Sequence, residues 1–384
     1  MIGVFLSDIT LILLAAGSSS RFELDVKKQW LRIDHKPLWY FVAQKLEKEN
    51  IFNKIIITSS SNDLEFMKTY ADYTFVEGST TRQKSLQNAL EKVTTDYVLV
   101  SDIARSCINK DFLNLIIAQK GLNDCVVPYL KVTDTIVYDN KTIDRDLVKR
   151  IQTPQLSSTH ILKKALQTEE DYTDESSAIV ASGGSRGFIL GDEDAHKITY
   201  IHDLNKLPCL SKPSNDILSG NGFDVHAFED GGVMWLGGVQ IDSELSFKAH
   251  SDGDVAIHAL IDALLGAAGM GDIGMIFPDN DDRYKGIDSK MLLKEVIVKL
   301  RSFGFIIINI DITIAAQKPR IGKYKLSMRR ILASILEIDS NRVNIKATTT
   351  EKLGFIGRAE GVGVIANANL KYFDWTDSSY KGKS

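Results

Sequence analysis

Short apolar segments alternate with segments of helical periodicity through the first half of the chain. The apolar segments fall at 9–15, 53–58, 97–100 and 125–127, and the helical ones at 37–50, 80–93 and 111–120. Strands that are apolar along their whole length are usually buried on both faces, and intervening helices allow them to run parallel. The pattern therefore predicts an α/β fold with a mostly parallel sheet and helices on both faces.

The composition changes after residue 203. Residues 207–215 contain two of the chain's seven prolines, with serine and asparagine between them, as in a linker. We therefore predict a first domain at 1–207, a linker at 208–217, a second domain at 218–373 and a polar, frayed tail at 374–384. The second domain should be α+β, with strands at 233–236, 306–315 and 343–347 and helices at 252–266, 289–303 and 323–336.

Charge and cysteine content argue against several classes of protein. The chain has 46 basic and 50 acidic residues and no long Lys/Arg run, so we expect no nucleic-acid partner. Cys107, Cys125 and Cys209 show no CxxC spacing, which argues against a disulfide framework or a cysteine zinc site and favours the reducing cytoplasm. The apolar run at 9–17 is too short to span a membrane and lacks the basic leader of a signal peptide, so no membrane association is expected.

Small and basic residues follow the first predicted strand. Residues 15–21 read Ala-Ala-Gly-Ser-Ser-Ser-Arg, and Lys27 and Lys28 come soon after. Small residues let backbone N–H groups approach an anion, and ligands of parallel sheets bind at the carboxyl ends of strands. Similar segments occur at 78–85 and 102–105. Taken singly, the first segment is explained equally well by phosphate binding or by an ordinary turn, and each of the others is more often a helix cap or a solvated loop.

The ordered set of these segments resembles the 2-C-methyl-D-erythritol 4-phosphate cytidylyltransferase family. The matching pieces are 15–21, 28–30, 102–105, 134–135, 153–155, 173–175 and 197–199. The resemblance implies a Rossmann-like domain that transfers CMP from CTP to methylerythritol phosphate and releases pyrophosphate. The chain departs from the family pattern at Lys27, where proline is usual, and at 102–106, which reads Asp-Ile-Ala-Arg-Ser instead of Asp-Ala-Ala-Arg-Pro.

The same resemblance implies roles for individual residues of the first half. The catalytic residues would be Arg21, Lys28, Lys197 and Arg145. Contacts to the nucleotide and the acceptor would come from Ala15, Ala16, Gly17, Gly78, Ser85, Asp102, Arg105 and Thr135. Mg²⁺ or Mn²⁺ would accompany the nucleotide phosphates in both domains. A sugar-phosphate nucleotidyltransferase of other specificity is the alternative for this half.

An Asp-x-His pair and a histidine on an apolar helix occur in the second half. Asp224 and His226 are two residues apart, so both side chains point the same way in an extended segment. His258 lies between Asp254 and Asp262 at helical spacing. Asp224, His226 and His258 would form an open site typical of catalytic zinc, and Asp262 could hold a histidine N–H. The alternative is a buried histidine paired within its own helix.

A threonine-rich segment at 348–351 ends in Glu351 and suits either phosphate contact or a helix capping box. Residues 219–372 closely resemble 2-C-methyl-D-erythritol 2,4-cyclodiphosphate synthase, through 224–226, 249–254, 272–274, 277–279 and 346–355. The resemblance implies Zn²⁺ or a similar ion at the three ligands above, a second divalent ion at Glu351, and cyclisation with loss of CMP. Substrate contacts would come from His250, Ser251, Asp272, Ala316, Arg320, Ala347, Thr348, Thr349, Phe355 and Arg358, where Arg320 replaces the family's lysine.

The two resemblances together imply a bifunctional, cytoplasmic enzyme of non-mevalonate isoprenoid synthesis that acts on CTP and methylerythritol phosphates. A kinase step separates the two reactions and the chain has no recognisable kinase motif, so association with a separate kinase is a hypothesis. The synthase family implies a homo-oligomer with trimeric C-terminal domains and sites between subunits, or a hexamer. The alternative is that one half is a non-catalytic binding module.

Overall fold

The computed structural model describes residues 8–249, 251–278 and 280–377 and divides into two compact units. One unit extends to Pro213 and resumes at Asp374, and the other is Ser214–Phe373. The division thus falls inside the segment 208–217, where the sequence predicts a linker. No helix among the described residues is both long enough and apolar enough to cross a membrane.

The first unit is built around one large sheet. Its strands are β1 (Ile9–Leu14), β2 (Arg32–Ile33), β3 (Lys36–Pro37), β4 (Lys54–Ser59), β5 (Thr74–Glu77), β6 (Tyr97–Asp102), β7 (Cys125–Lys131), β8 (Ile136–Tyr138), β9 (Lys141–Ile143), β10 (Lys149–Ile151), β11 (Gln155–Ser158) and β12 (Arg186–Leu190). Its α-helices are α1 (Leu38–Glu47), α2 (Ser61–Lys68), α3 (Arg82–Leu90), α4 (Lys110–Ile117), α5 (Thr159–Ala165) and α6 (Glu175–Ala181). The sheet order is β10-β7-β11-β6-β1-β4-β5, and β12 also pairs with β7.

Most neighbouring strands of this sheet run parallel. β1 pairs in parallel with β4 and β6, β4 with β5, and β12 with β7, whereas β10 and β11 are antiparallel to their neighbours. Successive residues of β1, such as Leu11, Ile12 and Leu13, are all buried, so both faces of the sheet are covered. The predicted sheet is confirmed, although α2, α5, α6 and the short strands after β7 were not predicted.

The second unit combines a five-stranded sheet with a central helix. Its strands are β13 (Leu218–Asp230), β14 (Met234–Leu236), β15 (Val239–Ile241), β16 (Leu245–Phe247), β17 (Phe305–Ala315), β18 (Val343–Thr348) and β19 (Gly361–Tyr372). Its α-helices are α7 (Val255–Ala268), α8 (Ile273–Ile276), α9 (Ser289–Ser302), α10 (Lys325–Leu336) and α11 (Gly354–Gly357). The sheet order β16-β13-β19-β17-β18 confirms the predicted α+β class.

Helix α7 lies unusually close to strand β13. A Cβ atom on Gly220 would overlap the backbone of Ala263, and one on Gly222 would overlap the carbonyl of Ala259. Only glycine permits this approach of a strand to a helix. This approach brings His258 on α7 close to Asp224 and His226 on β13. These are the three predicted metal ligands.

The expectation that the cysteines form no disulfide is wrong. Cys107 and Cys209 are joined by a disulfide bond across a sequence separation of 102 residues, and their Cα atoms are 5.6 Å apart. The chain after the 3₁₀ helix Ile201–Lys206 returns to the loop that follows β6. Short-range spacing cannot reveal a pairing of this separation.

The expectation that the tail is frayed is wrong at Trp375. This residue is 5% exposed, and its indole N–H donates to the backbone oxygen of Arg32 at 2.7 Å. Burial of a large aromatic ring together with its N–H group fixes this part of the chain on the first unit.

Candidate active sites

A cavity of about 440 Å³ lies at the carboxyl ends of β1 and β6 in the first unit. These strands are neighbours, so the loops that follow them face the same space. The predicted residues that line it are Ala15, Ala16, Gly17, Arg21, Lys28, Ser85, Asp102 and Lys197. Gly78 packs behind the loop, since a Cβ atom there would overlap that of Ala16.

Four cationic side chains line this cavity: Arg21, Lys28, Arg82 and Lys197. The ammonium of Lys28 donates to the backbone oxygen of Ile198 at 2.7 Å. Burial lowers the pKa of Lys28 to about 8, helped by the positive charges of Lys197 and Arg21 and partly offset by neighbouring carboxylates. Cations that repel one another in this way are suited to a polyanionic ligand, whose charge relieves the repulsion.

Asp102 organises the other side of the cavity. Its carboxylate accepts hydrogen bonds from Lys197 Nζ at 2.6 Å and from Arg82 Nε at 3.3 Å. Burial would raise the pKa of Asp102, but Arg82 and Lys197 hold it well below its usual range. Arg82 also donates to the buried Glu175 at 2.5 Å. Neither Arg82 nor Glu175 was predicted as a site residue, although Arg82 lies in the small, basic segment 78–85 and Glu175 in the family-matching piece 173–175.

Besides Gly78, three predicted residues do not line this cavity within the described part of the chain. Arg105 is buried and braces the loop, donating to the Ala195 carbonyl at 2.6 Å and to Thr153 Oγ1 at 3.0 Å. Thr135 and Arg145 flank the exposed hairpin of β8 and β9. They are not among the residues that line the cavity, and their contact with substrate stays a prediction.

A second cavity, of about 490 Å³, lies beside β13 and α7 in the other unit. Asp224 and His226 enter it from β13, and His258 enters it from α7. Asp224 Oδ2 is 3.2 Å from His226 Nε2 and 3.4 Å from His258 Nδ1, and the three ligand atoms lie within 4.8 Å of one another. The structure therefore brings the three predicted ligands together.

The second nitrogen of each imidazole has its own partner. His226 Nδ1 lies 3.0 Å from the backbone oxygen of Gly253. His258 Nε2 lies 2.9 Å from Ser289 Oγ and 3.2 Å from Ser251 Oγ. The prediction that Asp262 holds a histidine is wrong, because its carboxylate instead accepts a hydrogen bond from the backbone N–H of Ile273 at 2.8 Å.

One carboxylate and two imidazoles form the donor set at this position. Burial would raise the pKa of Asp224, but hydrogen bonds with His226 and His258 hold it well below its usual range. An ionised carboxylate and two oriented imidazoles match the ligands of a catalytic zinc site with a free position. The described residues here can therefore hold a divalent ion.

The remaining predicted residues of this unit lie at or after the ends of β17 and β18, or in and beside α11. Thr349 Oγ1 donates to Glu351 at 2.9 Å, and Arg358 pairs with Glu360 at 2.8 Å. The others are Ala316, Arg320, Ala347, Thr348 and Phe355, and within the described ranges none of these residues lines the cavity of the predicted metal ligands. Ser251 does line it, Asp272 caps the helix that borders it, and His250 lies outside the described residues.

Two family models match the chain, one in each unit. Residues 9–208 match the model described as 2-C-methyl-D-erythritol 4-phosphate cytidylyltransferase. Residues 217–371 match the YgbB family. The two matches meet within the same segment in which the structure divides.

Full-length relatives match almost the entire chain. A protein of Sulfurimonas denitrificans named "Bifunctional enzyme IspD/IspF" is 72% identical over 98% of this chain and 97% of its own length. One of the same name from Aliarcobacter butzleri is 52% identical over 96% of this chain and 99% of its own. The solved structure of the bifunctional IspDF from Campylobacter jejuni is 48% identical, superposes with a TM-score of 0.89, and covers 97% of this chain and 100% of its own.

Proposed function

Because the chain belongs to the family of bifunctional IspD/IspF enzymes, we propose that its two cavities carry the two reactions of that family separately. The chain is a cytidylyltransferase and a cyclodiphosphate synthase of non-mevalonate isoprenoid synthesis. The first reaction forms 4-diphosphocytidyl-2-C-methyl-D-erythritol from CTP and releases pyrophosphate. The second forms the 2,4-cyclodiphosphate from the 2-phosphorylated derivative and releases CMP.

In the first cavity, we assign the polyphosphate of CTP to Arg21, Lys28 and Lys197. A phosphate oxygen of the acceptor attacks the α-phosphorus, and the bond from that phosphorus to the pyrophosphate oxygen breaks. Charge that develops on the phosphoryl and leaving oxygens is stabilised by these three cations. Hydrogen bonds to Ile198 and Asp102 hold Lys28 and Lys197 in place. Mg²⁺ or Mn²⁺ would neutralise phosphate charge when bound.

In the second cavity, we assign a divalent ion, zinc by its donor set, to Asp224, His226 and His258. The ion would supply positive charge to the phosphates. The backbone oxygen of Gly253 and the hydroxyl of Ser289 fix the two imidazoles so that His226 Nε2 and His258 Nδ1 face the Asp224 carboxylate. The substrate's 2-phosphate attacks the β-phosphorus, and CMP carries away the electrons of the broken bond.

The polar cluster of Thr349 and Glu351 lies apart from this cavity, which supports a shared site in a homo-oligomer. We assign the cluster to the site of a neighbouring copy, as in a trimer, where it would contact phosphate and bind a second divalent ion. The outer face of the sheet exposes Phe223 (61%), Val225 (37%) and Ile365 (44%), an apolar surface that a second copy would cover. By the same reasoning, Thr135 and Arg145 on their exposed hairpin would serve the first cavity of another copy.

Intersubunit sharing has a direct test. His226→Ala and Glu351→Gln variants are each expected to lose CMP release. When the two variants are mixed and their subunits exchange, part of the CMP release should return. Some sites of the mixed oligomers then combine a native His226 from one copy with a native Glu351 from another. No recovery in demonstrably mixed oligomers would place both residues in one copy's site and contradict the assignment.

The assignment of one reaction to each unit rests on one observation. Each unit has its own cavity, and one is lined by cations and the other by the predicted metal ligands. His226→Ala should lower CMP release at least about a hundredfold and leave pyrophosphate release from CTP unchanged. Lys28→Ala should do the reverse. A variant that lowers both activities to the same extent would contradict separate sites.

A further inference from the structure

Asp63 is a fully buried carboxylate in the first turn of α2, and no sequence motif pointed to it. Its Oδ1 accepts a hydrogen bond from Lys27 Nζ at 2.6 Å. Its Oδ2 accepts from Gln29 Nε2 at 3.2 Å and from Trp30 Nε1 at 3.0 Å. All three donors come from the stretch 27–30, so one buried carboxylate fixes this short segment.

The segment 27–30 carries Lys28, one of the cations that line the first cavity. The backbone N–H of Lys28 donates to Ser19 Oγ at 3.0 Å. Gln29 Nε2, which also bonds to Asp63, donates to the backbone oxygen of Gly17 at 3.3 Å. Asp63 is therefore connected through Gln29 to the small-residue loop and through the backbone to Lys28.

Lys27 stands where the resemblance to the cytidylyltransferase family leads us to expect proline. Its backbone has φ −70° and ψ 140°, a conformation that proline itself adopts. Lysine lacks the covalent restraint on φ that proline has, but its ammonium makes an ion pair with Asp63, and these side chains are 24% and 0% exposed. The ion pair holds the backbone in the conformation that proline would impose.

Such a restraint matters because the charges in the cavity repel one another. Lys28, Arg21 and Lys197 face a common space, and burial disfavours the ammonium of Lys28. A flexible lysine would move toward water whenever its backbone allowed it. Fixing the segment from behind the cavity keeps Lys28 where the polyphosphate requires it.

We propose that Asp63 is a positioning residue for cytidylyl transfer, and that Lys27 is its counter-ion, so that the Lys27–Asp63 ion pair restrains this backbone as a proline would. Neither residue touches the reacting atoms. Both act through Lys28, which follows Lys27 directly. The inference assigns a role to the departure at Lys27, which the two reactions themselves leave unexplained.

The first test compares two substitutions at one position in the full-length protein. Lys27→Pro should keep kcat for pyrophosphate release within about twofold of the native value, because proline supplies the missing restraint. Lys27→Met has neither restraint, and its kcat should fall at least about fivefold with a smaller change in the KM for CTP. Native kcat in Lys27→Met, or equal kcat in the two variants, would overturn the proposal.

The second test addresses the carboxylate. Asp63→Asn should lower kcat about tenfold or more, because the amide keeps one acceptor oxygen but cannot pair with the ammonium. The kcat of the double variant Lys27→Pro/Asp63→Asn should be several-fold higher than that of Asp63→Asn alone. Adding Lys27→Pro removes the unpaired ammonium and restores the backbone restraint. The matched control is Glu65→Gln, on the same helix, where an exposed carboxylate pairs with Lys68 at 2.6 Å, and its kcat should be native.

CMP release by the second unit serves as an internal measure of active protein in every sample. A residue that only supports the fold would lower the midpoint of thermal unfolding and leave kcat native well below that temperature. Native kcat for folded Asp63→Asn, or a double variant no faster than Asp63→Asn, would overturn the proposal. A loss of kcat with native CMP release and recovery in the double variant would support it.

Discussion

The ammonium of Lys28 is hydrogen-bonded at 2.7 Å to the backbone oxygen of Ile198, a residue 170 positions further along the chain. This contact joins the loop after β1 to the segment that carries Lys197. Lys197 in turn pairs with Asp102 at the end of β6. Three segments distant in sequence thus form one charged side of the cavity. The protonation state of Lys28 should therefore control how tightly the cavity binds CTP.

The pH dependence of pyrophosphate release should therefore have an alkaline limb near pH 8. Burial, then Lys197 and Arg21, lowers the pKa of Lys28 to about 8, with Asp102 and Asp203 opposing the shift. Because the charged form binds the polyphosphate, kcat/KM for CTP should fall as pH rises through about 8. Bound CTP favours the charged ammonium, so the limb in kcat should lie at higher pH.

Lys28→Arg provides the control for this limb. Arginine stays charged throughout the range, so the variant should lose the limb even where its overall rate is lower. A limb near pH 8 that persists in Lys28→Arg would assign the titration to another group.

Arg82 should be more important for stability than its position at a cavity suggests. It pairs with Asp102 and with Glu175, whose side chain is 0% exposed. Removing one partner of a buried pair leaves an uncompensated charge, so Arg82→Met should cost about 3–5 kcal/mol of unfolding free energy. Urea unfolding followed by the fluorescence of Trp30 and Trp39, both in the first unit, would measure the loss.

A double variant distinguishes the effect of the Arg82 charge on stability from the effect of its side-chain packing. Arg82→Met/Glu175→Gln removes the buried charge as well as its partner, so it should be more stable than Arg82→Met alone. An equal loss in both variants would show that packing of the arginine stem, and not its charge, accounts for the effect.

Sequence patterns predicted features that depend on local periodicity. Asp224 and His226 share a face because residues two apart in a strand do so, and His258 was recognisable as a polar residue on an apolar helix. The same reasoning failed for Asp262, because sharing a helical stripe with His258 does not fix which group its carboxylate meets. The close approach of α7 to β13, through Gly222, turned three separate signals into one site.

Pairings between distant segments were not predictable in this way. The Cys107–Cys209 disulfide and the contact of Asp63 with Lys27 each join parts of the chain with no common periodicity. Trp375 was assigned to a frayed tail because its neighbours are polar, whereas a single aromatic ring is enough to hold a segment on the fold. These contacts depend on the packing of whole elements.

Ser289 should tune the metal site without being a ligand. Its hydroxyl lies 2.9 Å from His258 Nε2, and it donates to Asp252, so it links the imidazole to a carboxylate. Ser289→Ala should weaken zinc binding about 10–100-fold, as measured by competition with a chelator. Ser302→Ala is the matched control, because this serine is on the same helix and donates to the Lys299 backbone oxygen, and the variant should bind zinc as the native protein does. Unchanged zinc affinity in Ser289→Ala would contradict the link.

Trp375 should stabilise the first unit although it lies near the end of the sequence. Its ring is buried and its N–H donates to the Arg32 backbone oxygen, so Trp375→Ala should cost about 3–5 kcal/mol of unfolding free energy. Trp375→Phe keeps most of the apolar area and loses the hydrogen bond, which should cost about 1–3 kcal/mol. Urea unfolding of the full chain, followed by the loss of pyrophosphate release, would measure both. If Trp375→Ala unfolds at the native urea concentration, the indole does not stabilise the first unit, and the end of the chain is as loosely held as its polar neighbours suggested.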